Sequence, residues 1–97
     1  MDRRARIEQK LRSELGADPV LVVDESELHA GHEGARAGAG HFRAVVVSPR
    51  FEGLGPVARQ RLVYAALAEE LRSDIHALSL QTLTPEQWRE RSGGEER

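Results

Sequence analysis

Histidines are the residues of this chain best suited to chemistry, and three of the four, His29, His32 and His41, fall within one run, HAGHEGARAGAGH, at 29–41. The fourth, His76, stands near the start of the segment IHALSLQTL. Neutral imidazole is a common ligand for zinc, copper, iron and nickel, so the clustering raises the question of a metal site. The spacing is not that of a helical HExxH zinc motif, because the run holds too many glycines to be a helix. On spacing alone, a solvated loop with incidental histidines is the simpler reading. His76, at the edge of an apolar strand face, reads more simply as a packing residue. The chain has no cysteine, which removes disulfides, a thiol nucleophile and any thiolate ligand of its own. Soft-metal chemistry would have to borrow its sulfur.

The second candidate group is cationic. FEGLGPVARQR at 51–61 sets Arg59 and Arg61 near an expected helix N-terminus, where the macrodipole disfavours cations by roughly 0.3–1 kcal/mol. An anion on the free amides there would relieve that cost, and Arg50 is close in sequence. The competing reading is that two residues apart on a helix point in different directions and are solvated. Enzyme chemistry finds no foothold. Ser26, Ser48, Ser73 and Ser79 sit in no GxSxG-like elbow, the glycines at 34, 38 and 40 do not form GxGxxG, and no P-loop lysine follows. With one Trp, one Tyr and two Phe, stacking surfaces for single-stranded nucleic acid are scarce.

These residues must be positioned by a small fold. At 97 residues the chain has room for one modest core, and a single domain is expected over 1–91 with a disordered tail at 92–97. Ile7, Leu11 and Leu15 recur every four residues, the stripe of an amphipathic helix that Gly16 stops. VLVVD at 20–24 reads as a buried strand after an Asp18–Pro19 turn. Residues 25–40 form a long loop. HFRAVVVS at 41–48 is a second strand whose valine run suits a position between two neighbours. Gly55 as N-cap and Pro56 at the first helical position start a helix to about Leu71, expected to bury Val57, Leu62, Val63, Ala66 and Leu67. IHALSLQTL at 75–83 is a third strand, with His76 in the apolar set of Leu78 and Leu80. Thr84, Pro85 and Gln87 match a capping box for a final helix through Trp88. The order helix-strand-strand-helix-strand-helix gives an α+β fold, a three-stranded mixed sheet with helices packed on one face.

Net charge is −2, positive over 1–12 and 33–61 and negative over 13–32 and 62–97. That balance argues against a bulk nucleic-acid coat but allows local basic patches. No apolar run approaches the roughly 20 residues that cross a bilayer, so no membrane association is expected. The charged N-terminal stretch lacks the apolar core of a secretory signal, and a cytoplasmic location is expected.

Taken in order, HAGH at 29, HFRAVVVS at 41, FEGLGPVARQRLVYAALAEEL at 51 and IHALSLQTLTPEQW at 75 resemble the BolA family, over essentially residues 3–90. The chain departs at Gly40, where the family usually has Thr, at Gly55, where it usually has Ser, and at Arg59-Gln60-Arg61, where the middle residue is usually His. The resemblance implies a fold similar to the class II KH domain and a non-enzymatic role of one of two kinds. The first is partnership with a monothiol glutaredoxin, in which a shared [2Fe-2S] cluster is held by thiolates of glutaredoxin and glutathione and by histidine from this chain. On this resemblance His76 matches the strand ligand and His29 the loop ligand, with His32 as the alternate. His41 also matches a family position, suited equally to packing or to supporting the ligands. The second is transcriptional regulation on duplex DNA, with Arg50, Arg59, Arg61 and Arg43 as phosphate contacts. A KH-type GxxG loop is missing, since Gly53 and Gly55 flank only Leu54. A monomer is expected for the isolated chain, a homodimer being the alternative.

Overall fold

A computed structural model of the chain describes residues 2–26 and 40–93. Helix α1 spans Arg3–Leu15 and buries Ile7, Leu11 and Leu15, the expected stripe. Fully burying such a side chain stabilises by roughly 1.5–3 kcal/mol. Asp2 is its N-cap, the carboxylate accepting from the Ala5 amide at 2.7 Å. Gly16 ends it in the left-handed conformation, φ 59°, which glycine adopts without steric cost.

Strand β1 (Val20–Asp24) pairs antiparallel with β2 (Gly40–Val47), and β2 pairs parallel with β3 (Ile75–Leu83), giving the sheet order β1-β2-β3. The valine run of β2 does lie between neighbours, and Phe42, Ala44, Val46 and Val47 are buried. The reading of β1 as a buried strand holds for one face only. Val20 and Val22 face the core, while Leu21 and Val23 stand about half exposed (49% and 50%). β1 is an edge strand with one covered face, and β-branched composition alone does not distinguish that from burial on both faces.

After β2, Ser48 is fully buried. Its hydroxyl donates to the Leu15 carbonyl at 2.6 Å and accepts from the Arg50 amide at 3.0 Å, tying the end of α1 to a short 3₁₀ turn at Pro49–Phe51. Helix α2 begins on Gly55 and Pro56 as expected but ends at Ala66, and a separate helix, α3, covers Ala68–Ser73. The expected continuous helix to Leu71 is therefore divided at Leu67, whose backbone leaves helical values (φ −106°, ψ 23°) while its side chain is completely buried. Val57, expected in the core, is exposed. The core proper joins Ile7, Leu11 and Leu15 to Val20, Val22, Phe42, Ala44, Val46, Phe51, Val63, Leu67 and Ile75, with Leu78 and Leu80 packed at its margin.

Helix α4 (Pro85–Gly93) carries the expected capping box in full: Gln87 Oε1 accepts from the Thr84 amide at 2.9 Å and Thr84 Oγ1 accepts from the Gln87 amide at 3.1 Å. It continues beyond Trp88 and takes in Ser92 and Gly93, two residues that the sequence reading assigned to a disordered tail. Residues 94–97 lie outside the described residues. Among those described, no helix is long and apolar enough to cross a membrane.

Candidate functional site

The site grows from an irregularity in the parallel pair. Gly40 is in register with Ile75, but the next residue of β2, His41, is in register with Ala77. His76 is thus the extra residue of a β-bulge, a device that re-aims a side chain at a sheet end. The expectation that His76 belongs to the apolar face is corrected by this shift: Ile75 is buried, Leu78 and Leu80 are half-buried on the core side, and His76 is exposed. His41 sits beside it, half-buried with Nε2 shut off from solvent, and the two imidazole centroids are 5.0 Å apart with the rings tilted by 49°.

The end of β1 wraps onto the start of β2 at the same place. The Glu25 amide donates to the His41 carbonyl at 2.7 Å, and Ser26 Oγ accepts from the His41 amide at 3.2 Å. The Asp24 carboxylate in turn accepts from the Ser26 amide at 2.9 Å. Partial burial pushes the Asp24 carboxyl up, but hydrogen bonds from the Ser26 hydroxyl and amide, with Arg3 nearby, outweigh it and hold Asp24 below the usual carboxylate range. Gly40 leaves the space for this arrangement, since a Cβ there would lie 2.6 Å from Ser26 Oγ and 2.9 Å from Phe42 Cε2. A hydroxyl therefore reaches the His41 amide from Ser26, in the space left by the absence of a side chain at residue 40.

His29 and His32 lie outside the described residues. The residues that flank that segment, Ser26 and Gly40, both border the His41–His76 pair. Among the described residues no group of three or more His, Cys, Asp or Glu is placed to hold a metal ion. His41 and His76 can contribute imidazole donors, and further ligands must come from elsewhere.

The arginines named from sequence differ in what holds each of them. Arg59 is half-buried and engaged internally: Nε donates to the Leu54 carbonyl at 2.8 Å, and Nη1 donates to the Thr82 carbonyl at 3.2 Å and to Gln87 Oε1 at 3.0 Å. Its guanidinium carbon lies 5.9 Å from the Phe51 ring centroid. These contacts join the turn before α2 to the end of β3 and the cap of α4. Arg43 pairs with Glu25 at 2.9 Å, and Arg50 donates to the Glu14 carbonyl at 3.3 Å. Arg61 is exposed and makes no hydrogen bond or ion pair among the described residues. Nothing in side-chain type singles out Ser26, whose hydroxyl accepts from the His41 amide, or Asp74, whose carbonyl accepts from the Gly40 amide at 2.8 Å beside it.

A family model described as BolA-like protein matches residues 11–87 of the chain. Human BolA-like protein 1 is 50% identical over 88 residues, covering 91% of this chain and 62% of that protein. The chain therefore spans less than two thirds of that relative. A Vibrio cholerae protein named DNA-binding transcriptional regulator BolA is 44% identical over 84 residues, covering 87% of this chain and 76% of that one. Among solved structures, the BolA domain of SufE1 from Arabidopsis thaliana has a TM-score of 0.77 at 42% identity, covering 89% of this chain and 95% of that one.

Proposed function

The chain belongs to the BolA family, and from that premise we propose that it is a non-enzymatic cytoplasmic adaptor in iron–sulfur cluster assembly, trafficking or sensing. Its partner in this reading is a monothiol glutaredoxin, with which it shares a [2Fe-2S] cluster. The observation that carries the reading is the exposed His76, turned off the core face by a bulge and set against His41, with Ser26 and Gly40, the described residues on either side of the segment that bears His29 and His32, bordering the pair. The donor set fits the group in part. Imidazole ligates iron, and a chain without cysteine must obtain thiolate from glutaredoxin and its glutathione. His76 is the ligand from β3, and His29, with His32 as alternate, is the ligand from the preceding segment. His41 supports His76 by ring contact. Histidine in place of thiolate raises the reduction potential of such a cluster when it is bound.

The test is visible circular dichroism during titration of the protein into a cluster-loaded monothiol glutaredoxin. A new spectrum saturating at one equivalent, lost in His76→Ala and weakened in His29→Ala or His32→Ala, is the expected result. An unchanged spectrum with the wild-type protein overturns the reading.

The name of the Vibrio relative favours a second reading, regulation through duplex DNA. Arg43, Arg50 and Arg61 then contact phosphates, and Arg59 holds the turn that presents Arg61. Binding that weakens steeply with salt, with a shallower slope in Arg61→Ala, supports this alternative.

A further inference from the structure

A bulge in a parallel pair is uncommon, and the registers on its two sides must be held if the extra residue is to stay in one place. Asp74, the single residue between α3 and β3, is where that hold is concentrated. Its amide donates to the Glu70 carbonyl at 2.7 Å, fixing it to the last turn of α3. Its carbonyl accepts from the Gly40 amide at 2.8 Å and from Arg3 Nη1 at 3.4 Å. Its carboxylate accepts from Arg6 Nη1 at 2.6 Å. Beyond the bulge the register resumes with Phe42 opposite Leu78, and the Arg3 guanidinium lies 5.7 Å from the Phe42 ring centroid. Two arginines one turn apart on α1 therefore grip Asp74, two residues ahead of the extra His76, and one of them also covers the strand residue that sets the register after the bulge.

We infer that Arg3 and Arg6 of α1, acting through Asp74, form a positioning clamp that fixes the His76 bulge and so presents this imidazole to a shared metal group. The inference rests on the adaptor reading for what His76 meets, but the clamp itself belongs to the unliganded chain. The Arg6–Asp74 bond is charge-assisted and short, and the carboxylate side is mostly shielded, with Asp74 24% and Arg6 46% exposed at the side chain. Releasing it frees the α3–β3 joint to move, and the extra residue then exchanges between His76 and its neighbours.

The experiment compares wild type, Arg6→Ala and Arg6→Lys, with thermal unfolding confirming that each is folded. In the metal-free protein, Arg6→Ala is expected to speed hydrogen exchange of the Gly40 amide about fivefold relative to mid-strand β2 amides, the upper range for a partly exposed ion pair. It should also weaken the nuclear Overhauser contacts between the His41 and His76 rings, and Arg6→Lys should restore both. With cluster-loaded glutaredoxin, Arg6→Ala should need more protein for half-saturation, by the factor by which its bulge-held population falls, while reaching the same final spectrum. Unchanged Gly40 exchange and ring contacts in Arg6→Ala overturn the clamp, whatever the cluster does. A His76→Ala protein that still develops the full spectrum overturns the adaptor reading, and leaves the clamp to be judged by the exchange and ring-contact data.

Discussion

Replacing Gly40 with alanine tests whether the start of β2 is built around a missing side chain. The φ of Gly40 is not positive, so alanine meets no backbone strain, and its smaller unfolded-state entropy would by itself stabilise by about 0.4–1 kcal/mol. Space decides the sign. The new methyl would lie 2.6 Å from Ser26 Oγ and 2.9 and 3.1 Å from the Phe42 ring edge. The Ser26 hydroxyl can turn away at the loss of its hydrogen bond from the His41 amide. Phe42 is 2% exposed and packed in the core, with Arg3 over its ring, and such overpacking costs about 1–3 kcal/mol. The balance is a loss of about 1–2 kcal/mol, read as a fall of roughly 5–10 °C in the unfolding midpoint by circular dichroism. Pairing the change with Ser26→Gly removes the 2.6 Å contact but not those to Phe42. The double variant should then be more stable than the sum of the singles by about 0.5–1 kcal/mol. A Gly40→Ala protein as stable as the parent, or strict additivity of the pair, would refute the claim that Ser26 occupies the space a side chain at residue 40 would need.

Gly55 caps α2 with no side-chain hydrogen bond and with open space around its Cβ position, so Gly55→Ser should raise stability by a few tenths of a kcal/mol, about the cap difference between the two residues, in urea unfolding. Arg59→Ala gives up three hydrogen bonds and the Phe51 contact and should destabilise by about 2–3 kcal/mol. Arg61→Ala should stay within about 0.5 kcal/mol, and equal losses in chemical denaturation would contradict the internal role of Arg59. Because the Asp24 carboxyl is held below its ordinary value of 3.8, its contribution to stability is present above that pH and is lost as pH falls through the lower folded-state value. Wild type and Asp24→Asn should therefore differ at neutral pH and converge in acid, as followed by unfolding midpoints. Lys10, raised above 10.5 by its hydrogen bond to Glu69 despite opposing desolvation, has the opposite sign. Its contribution is whole below 10.5 and fades in strong alkali, and Lys10→Met should flatten that alkaline limb.

The elements with strong local signals were legible in the sequence: the α1 stripe and its glycine stop, the Gly55–Pro56 start of α2, and the capping box of α4. Each rests on contacts a few residues apart, so local spacing suffices. Features set by distant partners were not legible. The division at Leu67 falls in an unbroken run of good helix formers, with no Gly or Pro to mark it. The one-sided burial of β1 depends on what covers each sheet face. Arg59 reads as a free cation near a helix start until the Leu54 and Thr82 carbonyls and Gln87 are seen around it.

The placement of His76 lies between these cases, because its signal was present as a conflict of phase. Counted by twos from Ile75, the inward positions of β3 are Ala77, Ser79 and Gln81; counted back from Leu80 and Leu78, the inward position is His76. Either uniform strand leaves part of the apolar set on the open face. A single extra residue between Ile75 and Leu78 lets all three apolar side chains face the core, and that is the register observed. The residue in excess is then the one that burial leaves free for other work, and at this position it is an imidazole. The same hydrophobic pattern that builds the core thus requires an irregularity at the start of β3, and Asp74, gripped from α1, keeps it next to His41. The order of cause runs from core to bulge to histidine. A substitution that weakens the apolar demand at Ile75 disturbs the site without touching either imidazole.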